Sequence, residues 1–408
     1  ELDVKPGYWR HSNRTAILYP CNNDSNICVG SDIDINQRIR QNHDFGDFYC
    51  AEGHKGPLCE VCEDERSYFS DTDGQWMQCP TRGELTMLLL VILLSMTVTA
   101  ALIAYFFIKF RLQLYFQNMM AGISFQAKVK LLVSFCQILS SLEDVYGIRL
   151  DSEFTGWMNI ISYLSLDLSY IIGIPTSCIA SSTRQQIAIG ALWPFIIILV
   201  GAIIAALFKA CGRLWSLRWI TNGTIIVIYF AIPTVSRSIF DAIKCRAFAD
   251  DDQGGSVSYL LTNMGIQCDS SQDGNYSSIL IIFWVLFAIW IVLTPLCFVA
   301  LLWFVYPSVQ SKSITLLADS CRFLWQDYDP SMIYWDVIDT ERKIFLTGCI
   351  MLIDTAQGSN KMLRLVIAVI ASGLYFGILL AFHPYKRQDD YNLAFLSNFL
   401  LICCFALG

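Results

Sequence analysis

The sequence predicts an all-α polytopic membrane bundle of about eight to nine transmembrane helices, one a candidate re-entrant segment, preceded by a small disulfide-rich extracellular domain. Three observations carry this expectation. Of 408 residues, 55% are hydrophobic and only 15% charged, with mean hydropathy +0.48, whereas a soluble chain carries about 25% charged residues. Apolar runs recur along the chain at lengths near the roughly 20 helical residues that span about 30 Å of hydrocarbon. Six of the sixteen cysteines crowd into the polar stretch before the first such run. The net charge of −7 speaks against a nucleic-acid partner, which needs a basic face.

The candidate spans are Leu85–Ile108, Val129–Tyr146, Trp157–Ile174, Ile187–Phe208, Trp219–Phe240, Ser278–Val305, Lys343–Leu352, Leu363–Phe382 and Tyr391–Leu407. Short basic clusters set their direction, because cytosolic loops carry the excess of Lys and Arg. Lys109/Arg111/Lys128/Lys130, Lys209/Arg213/Arg218, Arg322/Arg342/Lys343 and Lys386/Arg387 are taken as cytosolic. Residues 1–83 then form an extracellular domain, and 84–408 a transmembrane domain with an extracellular loop at 245–277 and a cytosolic segment at 306–342. The sequons at Asn13, Asn23 and Asn275 fall outside and are expected to carry sugar, while Asn222 falls at a cytosolic helix start. The segment 147–186 must begin and end outside. Its polar residues Asn159, Ser162, Ser165, Asp167 and Ser169 suit a re-entrant or interfacial helix, buried in protein or lining water. The rival is a ninth span with one basic cluster misassigned. The chain starts without Met or a signal-peptide pattern and ends in an apolar run, so a larger ectodomain upstream and a polar tail downstream are expected.

Cys21, Cys28, Cys50, Cys59, Cys62 and Cys79 form an even, closely spaced set, the pattern of a disulfide framework in an oxidising space. A domain below about 80 residues has too small a core to do without such bridges. Gly53 and Gly56 suit the positive-φ turns of a short loop. A zinc reading of Cys59 and Cys62 would need His43 and His54 as the second ligand pair, and outside the cell the disulfide reading is favoured. No βαβ pattern supports a redox motif. Cys245 and Cys268 are expected to close the acidic outer loop, which leaves Cys178 as an odd outer cysteine.

No Walker loop, GxSxG, HExxH or dinucleotide fingerprint occurs, so no enzyme, cofactor or metal site is expected. The carboxylates of "DTDG" (71–74) and "DSSQDG" (269–274) lack the EF-hand ligand register. Ionisable residues within spans are costly and default to functional hypotheses. Ser134, Gln137 and Ser141 make a polar stripe at i, i+3, i+7. "AIPTVSRSIFDAIKC" is expected to break a span at Pro233 and then present Ser236, Arg237, Asp241 and Lys244. Gln137, Asp167, Asp241 and Asp354 are therefore pore or vestibule candidates, with Gln357 at the level of Asp354. The plainer alternative is a structural ion pair of Arg237 with Asp241 or Asp354, and a Ser/Gln stripe that holds helices together. In "YWDVIDTERKIFLTG", Tyr334 to Lys343 fit an amphipathic cytosolic coupling helix at the inner leaflet. Tyr334 and Trp335 would sit at the interface with Trp325 and Tyr328, and Asp336, Asp339 and Glu341 would balance Arg342 and Lys343.

The stretch "CAEGHKGPLCEVC" and the cysteines after it resemble the last two loops of a laminin-type EGF module. That resemblance implies bridges Cys50–Cys59 and Cys62–Cys79, leaving Cys21–Cys28 as the third pair. With "PGYWR" (6–10), "KVKLLVSFCQILSSL" (128–142), "IKC" (243–245) and "YWDVIDTERKIFLTG" (334–348), the chain resembles multi-span surface proteins of protists and algae. Their membrane part is similar to the transient-receptor-potential-like domain of fungal polycystin-like and flavin-carrier-like proteins. The resemblance implies a cation channel or channel-like oligomer; the leading expectation is a homo-oligomer at the plasma membrane, opened by a ligand or by tension in the ectodomain or membrane. No run matches a selectivity filter residue by residue. Asp250, Asp251 and Asp252 would concentrate cations at the outer loop. The other reading is a non-conducting anchor, adhesion or receptor protein, with membrane lipid and an extracellular matrix or filament as partners.

Overall fold

Described in the computed structural model are residues 3–11, 15–21, 27–31, 45–62, 67–70, 75–81, parts of 83–98, 124–146, 148, 152–165, 178, 180, 182–210, 217–250, 255–269, 274–353 and 361–407. Among them, five helices are long and apolar enough to cross a membrane: Thr183–Ile203, Ile220–Asp241, Gly274–Gln310, Met362–Phe382 and Gln388–Leu407. The chain is thus a helical membrane protein with a disulfide-bonded N-terminal head.

The head is built from short antiparallel pairs. Strand β1 (Tyr8–Trp9) pairs with β2 (Tyr19–Pro20), β3 (His54–Lys55) with β4 (Val61–Cys62), and β5 (Ser67–Ser70) with β6 (Gln75–Gln78). Gly53 and Gly56 take φ of 82° and 72° around the short loop, a conformation that costs a residue without Cβ little. A second component comes from far along the chain. Strands β7 (Cys245–Asp250), β8 (Gly255–Leu260) and β9 (Asn263–Gln267) form a three-stranded antiparallel meander. Its Phe248 and Met264 are buried in one cluster with Val4, Trp9, Ile27 and Leu58. The Trp9 and Tyr19 rings meet Phe248 edge-on at 5.3 and 5.0 Å, and Ala249 N donates to Tyr19 Oη at 2.8 Å. The sequence predicts an acidic, disulfide-closed loop here, and the strands come from the structure alone.

Four disulfides are present among the described residues: Cys21–Cys28, Cys50–Cys59, Cys245–Cys268 and Cys79–Cys178. The last corrects the expected Cys62–Cys79 bridge and gives Cys178 a partner. Cys79 ends the polypeptide's polar stretch beside the first span, where the Cys178 backbone lies 5.3 Å away Cα to Cα. Two residues later, Thr81 and Glu84 form a reciprocal capping box: Thr81 N donates to Glu84 Oε2 at 2.8 Å, and Glu84 N to Thr81 Oγ1 at 3.3 Å. These bonds hold the Glu84 carboxyl below the usual carboxylate range. Most of Leu85–Ile108 lies outside the described residues.

The bundle begins with α1 (Phe125–Leu139), α2 (Ser141–Tyr146) and α3 (Ser152–Leu164), followed by α4 (Thr183–Ala210) and α5 (Leu217–Asp241). The run Val129–Tyr146 is therefore two helices, divided at Ser140. Helix α5 continues through Pro233, which corrects the expected break there. Its residues Ile225, Tyr229, Ile232, Ser236 and Ile239 recur at helical spacing and are buried. Helix α6 (Gly274–Gln310) carries a π turn at Ala288–Leu293. Pro295 has no N–H to give the ladder just beyond it, and Ile289 O accepts from Thr294 twice, from its N–H in the π register and from its Oγ1 at 2.8 Å.

Two short helices follow, α7 (Leu316–Ser320) and α8 (Arg322–Trp325), and then α9 (Trp335–Thr347). Helices α10 (Lys361–Phe382) and α11 (Gln388–Leu407) close the chain as an antiparallel pair. The seventh expected span, Lys343–Leu352, is instead the last turn of α9 and a 3-10 turn at Cys349–Ile353. At Gly348 between them, an added Cβ would stand 2.5 Å from Phe240 Cδ2, so α9 reaches α5 only because Gly348 lacks one.

Candidate functional site: a buried charge network

Helix α9 is amphipathic, and in the structure its polar face points inward. Asp336, Asp339, Thr340, Lys343 and Thr347 recur at i, i+3/i+4, i+7 and i+11 and are buried, while Ile338 is 43% exposed. Of the aromatics expected at the interface, Trp325, Tyr328 and Trp335 are buried within the bundle and Tyr334 is half-buried. Charges buried in this way are tolerated only when each finds a partner in the protein, and the charged residues of this stripe do.

The network has two linked halves. In the first, Lys130 of α1 donates to Asp336 Oδ2 at 2.6 Å and to the carbonyl of Phe323. Asp327 lies 3.4 Å from the same ammonium. Tyr328 Oη donates to Asp336 Oδ1 at 2.5 Å, and the Phe323 ring faces Lys130 Nζ at 4.1 Å. In the second half, Asp339 accepts from Arg342 at 2.8 Å, from Lys343 at 2.9 Å and from Tyr375 Oη at 3.1 Å. Lys343 Nζ also donates to Tyr229 Oη at 2.9 Å, and Arg342 to Asn398 Oδ1. The Tyr229 ring stands between the halves, 5.5 Å from Lys130 Nζ and 4.2 Å from Lys343 Nζ.

Lys130, Arg342 and Lys343 are matched by Asp327, Asp336 and Asp339, and none of the six side chains exceeds 8% exposure. Taking each such ion out of water costs several kcal/mol, which only near-complete pairing offsets. The set joins α1, α5, α9, α10 and α11 to the loop before α9. At its edge, Tyr328 and Tyr385 are packed together at 5.2 Å. Burial first, and then the Asp336 and Asp339 carboxylates, push both phenols well up, so each stays a proton donor.

Of the pore candidates, Gln137 and Asp241 lie among the described residues, and they stand apart. Gln137 is buried, and its amide donates to Phe230 O at 2.8 Å and Ser165 O at 3.2 Å. Asp241 pairs with Lys244 at 2.8 Å and stands 4.0 Å from Arg237, so the expected Arg237–Asp241 pair is present with Lys244 as the nearer cation. Phe230 and Asp241 are separated by about 16 Å of α5 at 1.5 Å per residue. Asp167, Asp354 and Gln357 lie outside the described residues, as do Asn13, Asn23, His43, Asp251, Asp252 and the "DTDG" loop. Asn275 is exposed at the start of α6. His54 contacts the Cys59 carbonyl through Nδ1 at 3.2 Å. Sequence reasoning missed Lys130, Asp327 and Tyr229 as members of a site. In the sequence Lys130 reads as a topology marker, and Tyr229 carries no charge to flag it. No known protein family, curated protein or solved structure matches the chain.

Proposed function

We propose that the chain is a channel-like integral membrane protein, in which the buried charge network is the element that shifts between two packings. The observation that carries this reading is the cost of the network. Three cations and three carboxylates, desolvated on α1, α9 and the loop before α9, contribute less to stability than well-packed apolar residues of similar volume, and intramembrane charges mark ion paths and switches. A coupled array with alternative partners, such as Lys130 between Asp336 and Asp327, suits a two-state element. The stimulus in this reading is a ligand or tension acting on the head, whose core is shared with the strands joining α5 to α6.

In the same reading the chain is a glycoprotein of the plasma membrane, its EGF-like head outside and its transient-receptor-potential-like bundle assembled as a homo-oligomer. One observation favours the second reading, a non-conducting anchor or adhesion protein. Gln137 and Arg237, the residues expected along a polar path, have protein partners. Reconstitution of the chain in liposomes decides between them. Cation flux under bilayer tension, abolished when Asp339→Asn disrupts the network, is the expected result; tight vesicles under all tensions would leave the anchor.

A further inference from the structure

The charges of the network are matched, but the polar atoms around Tyr375 are not all satisfied. Trp335 Nε1, Arg342 Nε and Ser372 Oγ are buried and have no hydrogen-bond partner among the described residues. Trp335 and Ser372 are each 2% exposed, and the Arg342 side chain 8%. The Trp335 ring stands 5.5 Å from the Tyr375 ring, and Arg342 Cζ lies 4.1 Å from the same ring. Ser372 precedes Tyr375 by three residues, so the two share a face of α10.

Helices α9 and α10 run in opposite directions. Trp335, at the start of α9, clusters with Leu379 near the end of α10 and with Tyr385 just past it. At the other end, the Leu346 carbonyl accepts from Tyr146 Oη, and the Val145 carbonyl accepts from Arg364, near the start of α10. Tyr375 Oη donates to Asp339 at 3.1 Å, which sets the register. Arg342 lies three residues beyond Asp339 and Ser372 three before Tyr375, about 4.5 Å in the same direction on each helix. Arg342 and Ser372 therefore stand at one level of the seam between α9 and α10. Ser372 also departs from the other buried hydroxyls of the bundle. Ser141, Ser236, Thr340 and Thr347 each donate to a carbonyl of the preceding turn, and Ser372 does not.

A buried polar group without a partner carries its full desolvation cost, and such groups in native proteins are met by bound water or ions. The six charges of the network sum to zero, so the seam calls for no further ion. Two of its open atoms, the indole and guanidinium N–H groups, can only donate, and the third both donates and accepts. A neutral ligand that accepts and donates in a small space fits this set, and buried water makes about three such bonds. We propose that ordered water occupies the seam between α9 and α10. It accepts from Arg342 Nε and bonds Ser372 Oγ at one level, and it accepts from Trp335 Nε1 two turns away on α9. Water held there lets the two helices shift against each other without leaving Arg342 bare. The site does not depend on conduction.

The test is radiolytic footprinting of the full chain in phosphatidylcholine vesicles. X-rays split water into hydroxyl radicals that oxidise nearby aromatic rings, and a ring sealed from solvent is reached by radicals from water held beside it. Tyr8, 42% exposed, is the open control; Tyr146, 1% exposed with its hydroxyl on the Leu346 carbonyl, is the sealed one. Peptide mass mapping should find Tyr375 and Trp335 oxidised well above Tyr146, although they are 5% and 2% exposed. Ser372→Val removes the hydroxyl and fills its place, and should lose the oxidation at Tyr375. Ser372→Thr keeps a hydroxyl and should keep that oxidation. Tyr375 and Trp335 as silent as Tyr146 would overturn the site, and so would oxidation of Tyr375 that survives Ser372→Val. The comparison within the unaltered chain decides the matter even where a variant does not fold. Ion flux is not the readout, so vesicles that conduct nothing sink the channel reading and leave the water site standing.

Discussion

Lys130 is the residue on which the network turns, since it alone reaches both Asp327 and Asp336 from α1. Lys130→Met should cost about 3–5 kcal/mol, because Asp336 is then left charged and desolvated. The double change Lys130→Met/Asp336→Asn should return a large part of that loss, a coupling readable by denaturation in detergent as a double-mutant cycle. Additive losses would mean that the pair is not the unit described. Gly348→Ala should also destabilise, by about 1–3 kcal/mol through overpacking against the Phe240 ring. The sequence made Asp336, Asp339, Arg342 and Lys343 conspicuous but could not say which way they face. An amphipathic stripe has the same spacing whether it meets cytosol or core, and Lys130 lies 206 positions from Asp336, beyond any local pattern.

Among the elements, the long apolar helices were legible because a span needs only length and composition. The pairing of Cys79 was not, since its partner depends on where residue 178 arrives after crossing the bundle. Cys79→Ala should therefore unmask the Cys178 thiol to alkylation, and peptide mapping of the native chain should recover a Cys79–Cys178 peptide. The bridge closes a separation of 99 residues, for which chain entropy gives up to about 4.7 kcal/mol. Just beyond it, Thr81→Ala should weaken the helix start by about 1 kcal/mol. The depressed Glu84 carboxyl gives that cap a pH sign: its contribution is present above the usual carboxylate pKa and is lost as pH falls. The strands β7–β9 were overlooked, although "CRAFAD" and "GSVSYL" are short runs flanking a glycine pair, because the acidic run between them read as a solvated loop.

Across the whole molecule, the head and bundle are joined by more than a linker. The N-terminal module borrows Phe248 and Met264 for its core, and Asn263 Nδ2 donates to Thr183 Oγ1 at the start of α4 at 3.0 Å. Phe248→Ala should cost about 3–5 kcal/mol and speed proteolysis near Trp9, more than 200 residues away in sequence; cleavage confined to 245–267 would argue against the shared core. The order in which the chain is made gives this arrangement a temporal side. When the ribosome has released residues 1–80, the N-terminal module has its cysteines but not its central aromatic ring, and Cys79 has no partner. Maturation must wait until α5 has crossed and β9 has been delivered to the same compartment. The core of the head is thus completed only after the strands β7–β9, far downstream in the chain, have been made.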